Sequence, residues 1–571
     1  MFTEFKKIFS NKYIILFIVT AYVFIPYISN RFNSGQDYIC HMANLYAMVD
    51  NISLSDGILF PSKIRSIIFN NLGYGNGIFY PQFSYYVTVY IYLFIKQLGF
   101  SLITAVKIFE FLIVFLSGVF MFKFVNTTFK NENAGLVAAI MYVTAPYFCV
   151  DVFKKMAYSE IGIFLFMPMI LLAITYILNK DYKKFMIYFV IGYSGMICSH
   201  LVLTIYFTIL LIIILLINIK KLLNKKTILY FALATVIVLG ITSFEWVPML
   251  EHKLTDNYWV FYGDSMYSLT GLEATRITLS NLLNPFNSNG SYPYITLWVL
   301  IFAILTIIFV KKILPNKEQR KILYSIEAFT LVAFLIGAFT DWENVPEFLK
   351  YIQFPSRIYT FITLGVSIIA GLGIILFKKY KKITILTIFV ISIFCLANAI
   401  NITHSVHVRI LDNLTEEEIS TSSSALGYQQ EYLSIKAHEN QEYLLSRSQD
   451  VLVVTGDAET EITENNTPYL QFSVNINDEN TVTLELPRLY YLGYSITYEN
   501  ADDIAEKIEY YENDNGLIEI EVNKSGTITV EYTGTTLNKI ADIVSVLTII
   551  LFIVFYIIIP FYNKRKLKLL E

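Results

Sequence analysis

The sequence predicts a polytopic α-helical membrane protein of about 12–13 transmembrane segments, with a C-terminal extracytoplasmic β-rich domain and a final membrane anchor helix. Three observations predict it. Hydrophobic residues make up 55% of the 571 positions and charged residues only 16%, with a mean hydropathy of +0.54, so lipid rather than water must solvate much of the chain. Apolar stretches of roughly helical span length recur along it. Residues 401–537, by contrast, carry 25 acidic against 6 basic side chains, while most lysines elsewhere sit in short clusters between apolar runs. The two parts therefore meet different surroundings.

A crossing helix needs roughly 20 apolar residues, because each rises about 1.5 Å and the hydrocarbon core is about 30 Å thick. Thirteen stretches meet or approach that length: 13–30, 79–97, 103–123, 133–150, 159–178, 184–198, 201–219, 227–247, 294–313, 322–339, 358–377, 383–400 and 540–562. The first follows Lys6, Lys7 and Lys12 without a small-residue cleavage site after it, and reads as a retained signal anchor. Dense clusters at Lys220 to Lys226, Lys311 to Lys321, Lys378 to Lys382 and Lys564 to Lys568 mark the cytoplasmic side. Residues 31–78, 247–293, 340–357 and 401–539 are then outside. Thirteen crossings cannot join two cytoplasmic ends, so one stretch must fail to cross. We expect it to be 79–97, where Pro81, Gln82 and Ser84 interrupt the start; demoting it moves Lys123, Lys130, Lys180, Lys183 and Lys184 inside at the expense of Lys96, Lys154 and Lys155. Asp37, His41, Glu160, His200 and Arg357 then reach one outer face. The chain divides into a transmembrane domain (1–400) with its outer loop 31–78, an outer domain (401–538), and a last helix with a cytoplasmic tail (539–571).

In the first outer loop, Asp37 and His41 are four residues apart and share a face if the segment is helical. A partly desolvated carboxylate there can serve as a general base; equally, Asp37 can cap a helix beginning at Tyr38. The run from Gly73 through Tyr74 and Gly75 to Pro81 reads as a turn entering the membrane, or as a ligand contact. Glu160 opens a span, where the helix dipole favours an acid. Arg357 stands in the first turn of another, where a cation is disfavoured by the same dipole and an anion such as phosphate would be held. Its bland alternatives are snorkelling or a pair with Glu343 or Glu347. His200 lies between two apolar runs, as a functional group or as a histidine satisfied by backbone. Tyr258, Trp259, Phe261 and Tyr262, near Asp256 and Asp264, suit either a sugar ring or an interfacial aromatic belt. The four cysteines show no metal or disulfide spacing. With no Walker A, HExxH, GxSxG or GxGxxG sequence, ATP-driven transport and zinc proteolysis lose support.

These pieces together resemble the GT-C class of membrane glycosyltransferases, and within it the bacterial YfhO-like group, some of whose members carry the label "6-pyruvoyl-tetrahydropterin synthase-related". The resemblance is carried by Gly35-Gln36-Asp37 with His41, Gly73-Tyr74-Gly75 to Pro81, Tyr158-Ser159-Glu160, Ser199-His200, Gln353-Phe354-Pro355-Ser356-Arg357, Leu486-Pro487-Arg488 to Tyr494, and Gly526 to Tyr532 before the last span. It implies transfer of a sugar from a polyprenyl-phosphate carrier to a surface glycan or polymer on the outer face of the bacterial cytoplasmic membrane. In that reading Asp37, His41 and Glu160 are catalytic, while Arg357, His200, Tyr74 and Trp259 bind substrate. Gln36-Asp37 stands where some GT-C enzymes have paired acids, so no cofactor is called for, and a divalent metal is allowed without being indicated. A transporter or flippase for a lipid-linked sugar, or a noncatalytic scaffold presenting the outer domain, are the competing expectations.

In the outer domain, 451–454, 470–474, 481–486, 518–522 and 527–532 read as strands of a small antiparallel sandwich or jelly roll. A polar stretch from Thr415 to Arg447 precedes them, helical or loose. The domain's acidity argues against nucleic acid as a partner.

Overall fold

The computed structural model describes residues 11–27, 31–33, 37–54, 62–255, 257–262, 276–278, 295–404, 408–410, 430–477, 481–499 and 505–560. Every one of the thirteen apolar stretches coincides with helix. Their lengths differ. Among the described residues, six helices are long and apolar enough to cross a bilayer: Leu102–Phe129, Glu160–Leu178, Lys317–Phe339, Pro355–Phe377, Lys381–Ile402 and Thr536–Ile558. Two bent pairs raise the number to eight, Glu132–Val143 with Pro146–Lys155 at 40° and Lys225–Ile241 with Ser243–Thr255 at 71°. The first bend has a local cause, since Pro146 has no N–H to donate and so starts a new helix rather than continuing the old one. The stretch 79–97 yields Phe83–Ile95, 13 residues long, whose rise of about 20 Å falls short of a bilayer core. The first stretch gives only Lys12–Val23, 12 residues.

Glu160–Leu178 is the hub, packed between Leu102–Phe129 and Tyr182–Ser199. Gly162 permits a close approach to Tyr182–Ser199, because a Cβ there would lie 2.4 Å from Ser199 Oγ. This brings the start of the hub beside His200. At the periphery, Lys381–Ile402 and Thr536–Ile558 are only 22% and 17% buried and expose Ile385, Leu386, Phe389, Leu547 and Leu551. Such a surface suits lipid chains and would be costly in water.

A two-stranded antiparallel ribbon joins β1 (Arg31–Asn33) to β2 (Val408–Ile410), tying the first outer loop to the chain that leads into the C-terminal region. There, β3 (Leu452–Thr455), β6 (Val482–Leu489), β9 (Tyr510–Glu512) and β10 (Leu517–Val522) form one antiparallel sheet, in the order β3-β6-β10-β9. The second sheet uses β4 (Ala458–Asn466), β5 (Tyr469–Ile476), β7 (Tyr494–Glu499), β8 (Ala505–Ile508) and β11 (Gly526–Tyr532), in the order β4-β5-β11-β7-β8. Period-two alternation buries Leu470, Phe472 and Val474 from β5 with Ile528 and Val530 from β11; Leu484 and Ile520 of the other sheet join the same core. Each such side chain contributes about 1.5–3 kcal/mol on burial. The five expected strands are present. β4 was not legible: Ile462 is its one large apolar residue, and it forms an edge whose alternating acids face water. Of the polar stretch before the sandwich, residues 415–429 lie outside the described residues, and Ile435–Glu439 and Gln441–Ser446 are short helices.

The sandwich sits on the described part of the loop 31–78. Leu489 N–H donates to the Leu72 carbonyl (2.9 Å), the Asn70 amide donates to the carbonyls of Leu444 (2.9 Å) and Arg447 (2.8 Å), and Thr467 Oγ1 donates to Asn71 (2.8 Å). Gly75 is required here, since a Cβ would fall 2.5 Å from the Tyr491 ring. The glycine-rich run is thus the seat of the outer domain. The last helix returns against the second bent pair, with Ser243 Oγ donating to Ala541 O at 2.7 Å.

Candidate functional site

A helix, Tyr38–Leu54, starts directly after Asp37, and His41 N–H donates to the Asp37 carbonyl (3.1 Å). The Asp37 N–H donates in turn to Lys155 O (3.1 Å), so the first loop is moored to the end of the bent pair. That end, Asp151–Lys155, is a single π turn, a distortion that recurs at functional positions. It carries the ion pair Lys155 Nζ to Asp151 Oδ1 at 3.0 Å, and Lys155 also donates to Tyr147 Oη at 3.2 Å.

Across from it, Arg357 Nε donates to Glu160 Oε1 at 2.7 Å, while Nη1 donates to Ile352 O (2.8 Å) and Gln353 Oε1 (2.7 Å). The partner of Arg357 is therefore Glu160, from a helix 197 residues away, rather than Glu343; the side chain of Glu347 lies outside the described residues. His200 caps Leu201–Ile217: Nδ1 accepts from Leu203 N–H (3.3 Å), which leaves the proton on Nε2, directed at Glu160 Oε1 from 3.9 Å. One ring nitrogen is satisfied by a backbone N–H and the other lies near Glu160. Glu160 Oε2 is buried without a hydrogen-bond partner among the described residues.

Asp37 faces this cluster. Its side chain is exposed to solvent and makes no hydrogen bond to a described residue, so it does not spend its carboxylate on capping. Enclosure by protein pushes its pKa up to about 6; Glu160 and Glu431 add to the rise, and Arg357 and Lys155 oppose it. A carboxylate reachable by water yet surrounded by protein belongs to the wall of an open cleft. Its pKa is in the working range of a general base.

His41, one turn further along, is held by a different partner. It is buried, its Nδ1 lies 2.7 Å from Tyr85 Oη, and burial pulls its pKa down to about 3; it stays neutral and orients rather than carrying charge. Tyr74 and Trp259, expected to meet substrate, do not reach it as ligands would. Tyr74 is fully buried beneath the β domain and accepts the Tyr432 N–H (3.3 Å), and Trp259 stacks on His438 at 3.9 Å while its backbone N–H donates to Leu433 O (2.9 Å). Tyr258 likewise stacks on Tyr491 (5.8 Å, 3°); Asp256, Asp264 and the side chain of Tyr262 lie outside the described residues.

Three members were missed from the sequence. Asp151 and Lys155 had a legible signal, an i, i+4 ion pair at the outer end of an apolar run. Glu431 had none: it precedes the sandwich in a polar stretch and reaches the cluster only through tertiary structure, where enclosure by protein raises its pKa and Arg357 opposes the rise. Among the described residues no group of three or more His, Cys, Asp or Glu is placed to hold a metal ion.

No protein-family model matches the chain. A protein described as uncharacterized from Lactococcus lactis subsp. cremoris (strain MG1363) is 25% identical over 272 residues, which cover 46% of this chain and 43% of that protein. The match thus spans less than half of either chain.

Proposed function

We propose that the protein is a multi-pass enzyme of the bacterial cytoplasmic membrane, a GT-C-type glycosyltransferase resembling the YfhO-like group, that moves a sugar from a polyprenyl-phosphate donor to a surface glycan or polymer. Twelve crossing helices with the β sandwich outside the cell complete the reading. The observation that carries it is the pairing, in one cleft, of an unpartnered, solvent-reachable carboxylate, Asp37, with the cations Arg357 and Lys155 at the ends of apolar helices. A base and an anion site that share a cleft fit a reaction whose acceptor is a hydroxyl and whose leaving group is a phosphate.

In the proposed step Asp37 takes the proton of the acceptor hydroxyl. The acceptor oxygen forms a bond to the anomeric carbon with inversion, the bond from that carbon to the phosphate oxygen breaks, and its electron pair leaves with the lipid phosphate. Arg357 and Lys155 stabilise the charge that develops there. Glu160 holds the guanidinium in place, and His200 orients Glu160. His41 fixes the helix that carries Asp37.

The test is transfer of label from radiolabelled polyprenyl-monophosphate hexoses by the reconstituted protein, with Asp37→Asn as the comparison. Loss of transfer with retained fold supports the assignment, and unchanged turnover removes Asp37 from it. The competing transporter reading draws on the two bent helix pairs, since broken helices line substrate paths in many carriers; movement of the lipid-linked sugar across vesicles without glycosidic transfer would favour it.

A further inference from the structure

The site is not built by the helical domain alone. Gln353 lies between two parts of the chain that otherwise have little to do with each other: its Oε1 accepts from Arg357 Nη1 (2.7 Å), and its Nε2 stands 3.5 Å from Glu431 Oε1. To do so it adopts φ +59, the left-handed region that a side chain bearing a Cβ enters at a cost of about 1 kcal/mol. Its N–H, bonded to Lys350 O (2.9 Å), helps hold the turn. A glycine would take this turn freely, so the glutamine side chain has a use there.

Glu431 in turn is held by groups from three separate regions. Val260 N–H donates to its carbonyl (2.8 Å); the next residue, Tyr432, is fixed by Tyr74 Oη on its N–H (3.3 Å) and by Tyr491 Oη donating to its carbonyl (2.9 Å). Tyr491 belongs to the sandwich, and Tyr74 to the loop on which the sandwich sits. The position of Glu431 therefore reports whether the outer domain is seated.

We propose that Glu431 and Gln353 are positioning residues that couple the seating of the outer domain to the orientation of Arg357, and so to its readiness to bind a phosphate. The coupling rests on the reading of Arg357 as the phosphate site. With the domain seated, Glu431 fixes the Gln353 amide, and the amide oxygen holds Nη1 so that the guanidinium presents one face to the cleft. With the domain displaced, the amide is released and Arg357 keeps only Glu160 and the Ile352 carbonyl.

The experiment measures binding of farnesyl phosphate, and separately of inorganic phosphate, to the full-length protein in nanodiscs. Glu431→Ala and Gln353→Gly are each expected to weaken farnesyl phosphate about tenfold, and Glu431→Ala combined with Arg357→Ala to bind no more weakly than Arg357→Ala alone, the non-additivity expected of residues acting through one another. Gln353→Gly keeps the backbone turn at no steric cost, so its fold is preserved while the link is lost. Glu431→Gln, which retains an oxygen acceptor for the Gln353 amide, should restore most of the affinity. Wild-type affinity in Gln353→Gly and Glu431→Ala, or losses that multiply with that of Arg357→Ala, overturns the coupling while leaving the phosphate site intact. A wild-type protein that binds neither phosphate overturns the phosphate site and the coupling together. Equal binding of both ligands with the same losses keeps the coupling and removes the lipid tail from recognition.

Discussion

Two arginine–carboxylate pairs lie in the two halves of this molecule, and they differ in what is left over. In the outer domain Arg447 Nε donates to Glu485 Oε1 at 2.8 Å, with side chains 1% and 5% exposed. Glu485 also accepts from Tyr443 (3.0 Å), Asn513 (2.6 Å) and Asn515 (3.2 Å), and Arg447 donates to three carbonyls. Every strong group there is satisfied. The Arg357–Glu160 pair has a similar bond, 2.7 Å, but among the described residues Glu160 Oε2 has no hydrogen-bond partner, and Asp37 stands open near it. A saturated pair fixes a structure; an unsaturated one, with spare acceptors and a raised carboxyl, is arranged for something that the protein does not itself contain.

The comparison is broken most sharply at Asp37. Asp37→Asn keeps shape and removes the base, and should lower transfer about 10²–10⁴-fold with the thermal midpoint within a few degrees of wild type. The rate in the wild-type protein should rise with pH through an apparent pKa near 6, since the acid must lose its proton to act and the surrounding protein, with Glu160 and Glu431, holds that proton; a flat profile from pH 5 to 8 would remove Asp37 as base. Arg357→Lys keeps charge and loses the planar fork that bridges Glu160 and Gln353. We expect about 10²-fold in kcat, with little change in stability. Glu485→Gln should do the reverse, destabilising the sandwich by about 2 kcal/mol in chemical melts while a properly folded fraction keeps its specific transfer rate.

How much of this was legible follows the range of the forces involved. Helices 1–400 were found because lipid solvation writes itself into local composition, residue after residue. Strands such as β5 and β11 were found because a half-buried sheet imposes a period of two. Asp37, Glu160, His200 and Arg357 could be picked out since an ionisable group beside an apolar run is conspicuous. What failed was non-local or nearly silent. Glu431 reaches the cluster by folding alone, and Tyr74 and Trp259 looked like ligand contacts because an aromatic beside glycines or acids does not tell which surface will cover it. β4 hides as an exposed edge. Bends shortened several spans, and composition gives no angle.

The smallest expected effect compares the two carboxylates through pH. Glu485 is the depressed case: burial alone would raise it, but Arg447, Asn515 and Tyr443 together hold it below the usual glutamate range. A depressed acid binds fewer protons folded than unfolded, so its stabilisation is present above the unfolded pKa, about 4.3, and is lost as pH falls through the folded value. Asp37 has the opposite sign, because its folded pKa of about 6 exceeds the unfolded value of about 3.9; its ionisation therefore costs stability as pH rises between those two values. The stability difference between wild type and Glu485→Gln, measured by denaturant melts of the full chain, should be constant from pH 6 to 8 and shrink below about pH 4, whereas Asp37→Asn should be relatively more stable above pH 6 than at pH 4. If the Glu485 difference were instead to grow on acidification, the pair would not be the saturated anchor on which the contrast between the two regions depends.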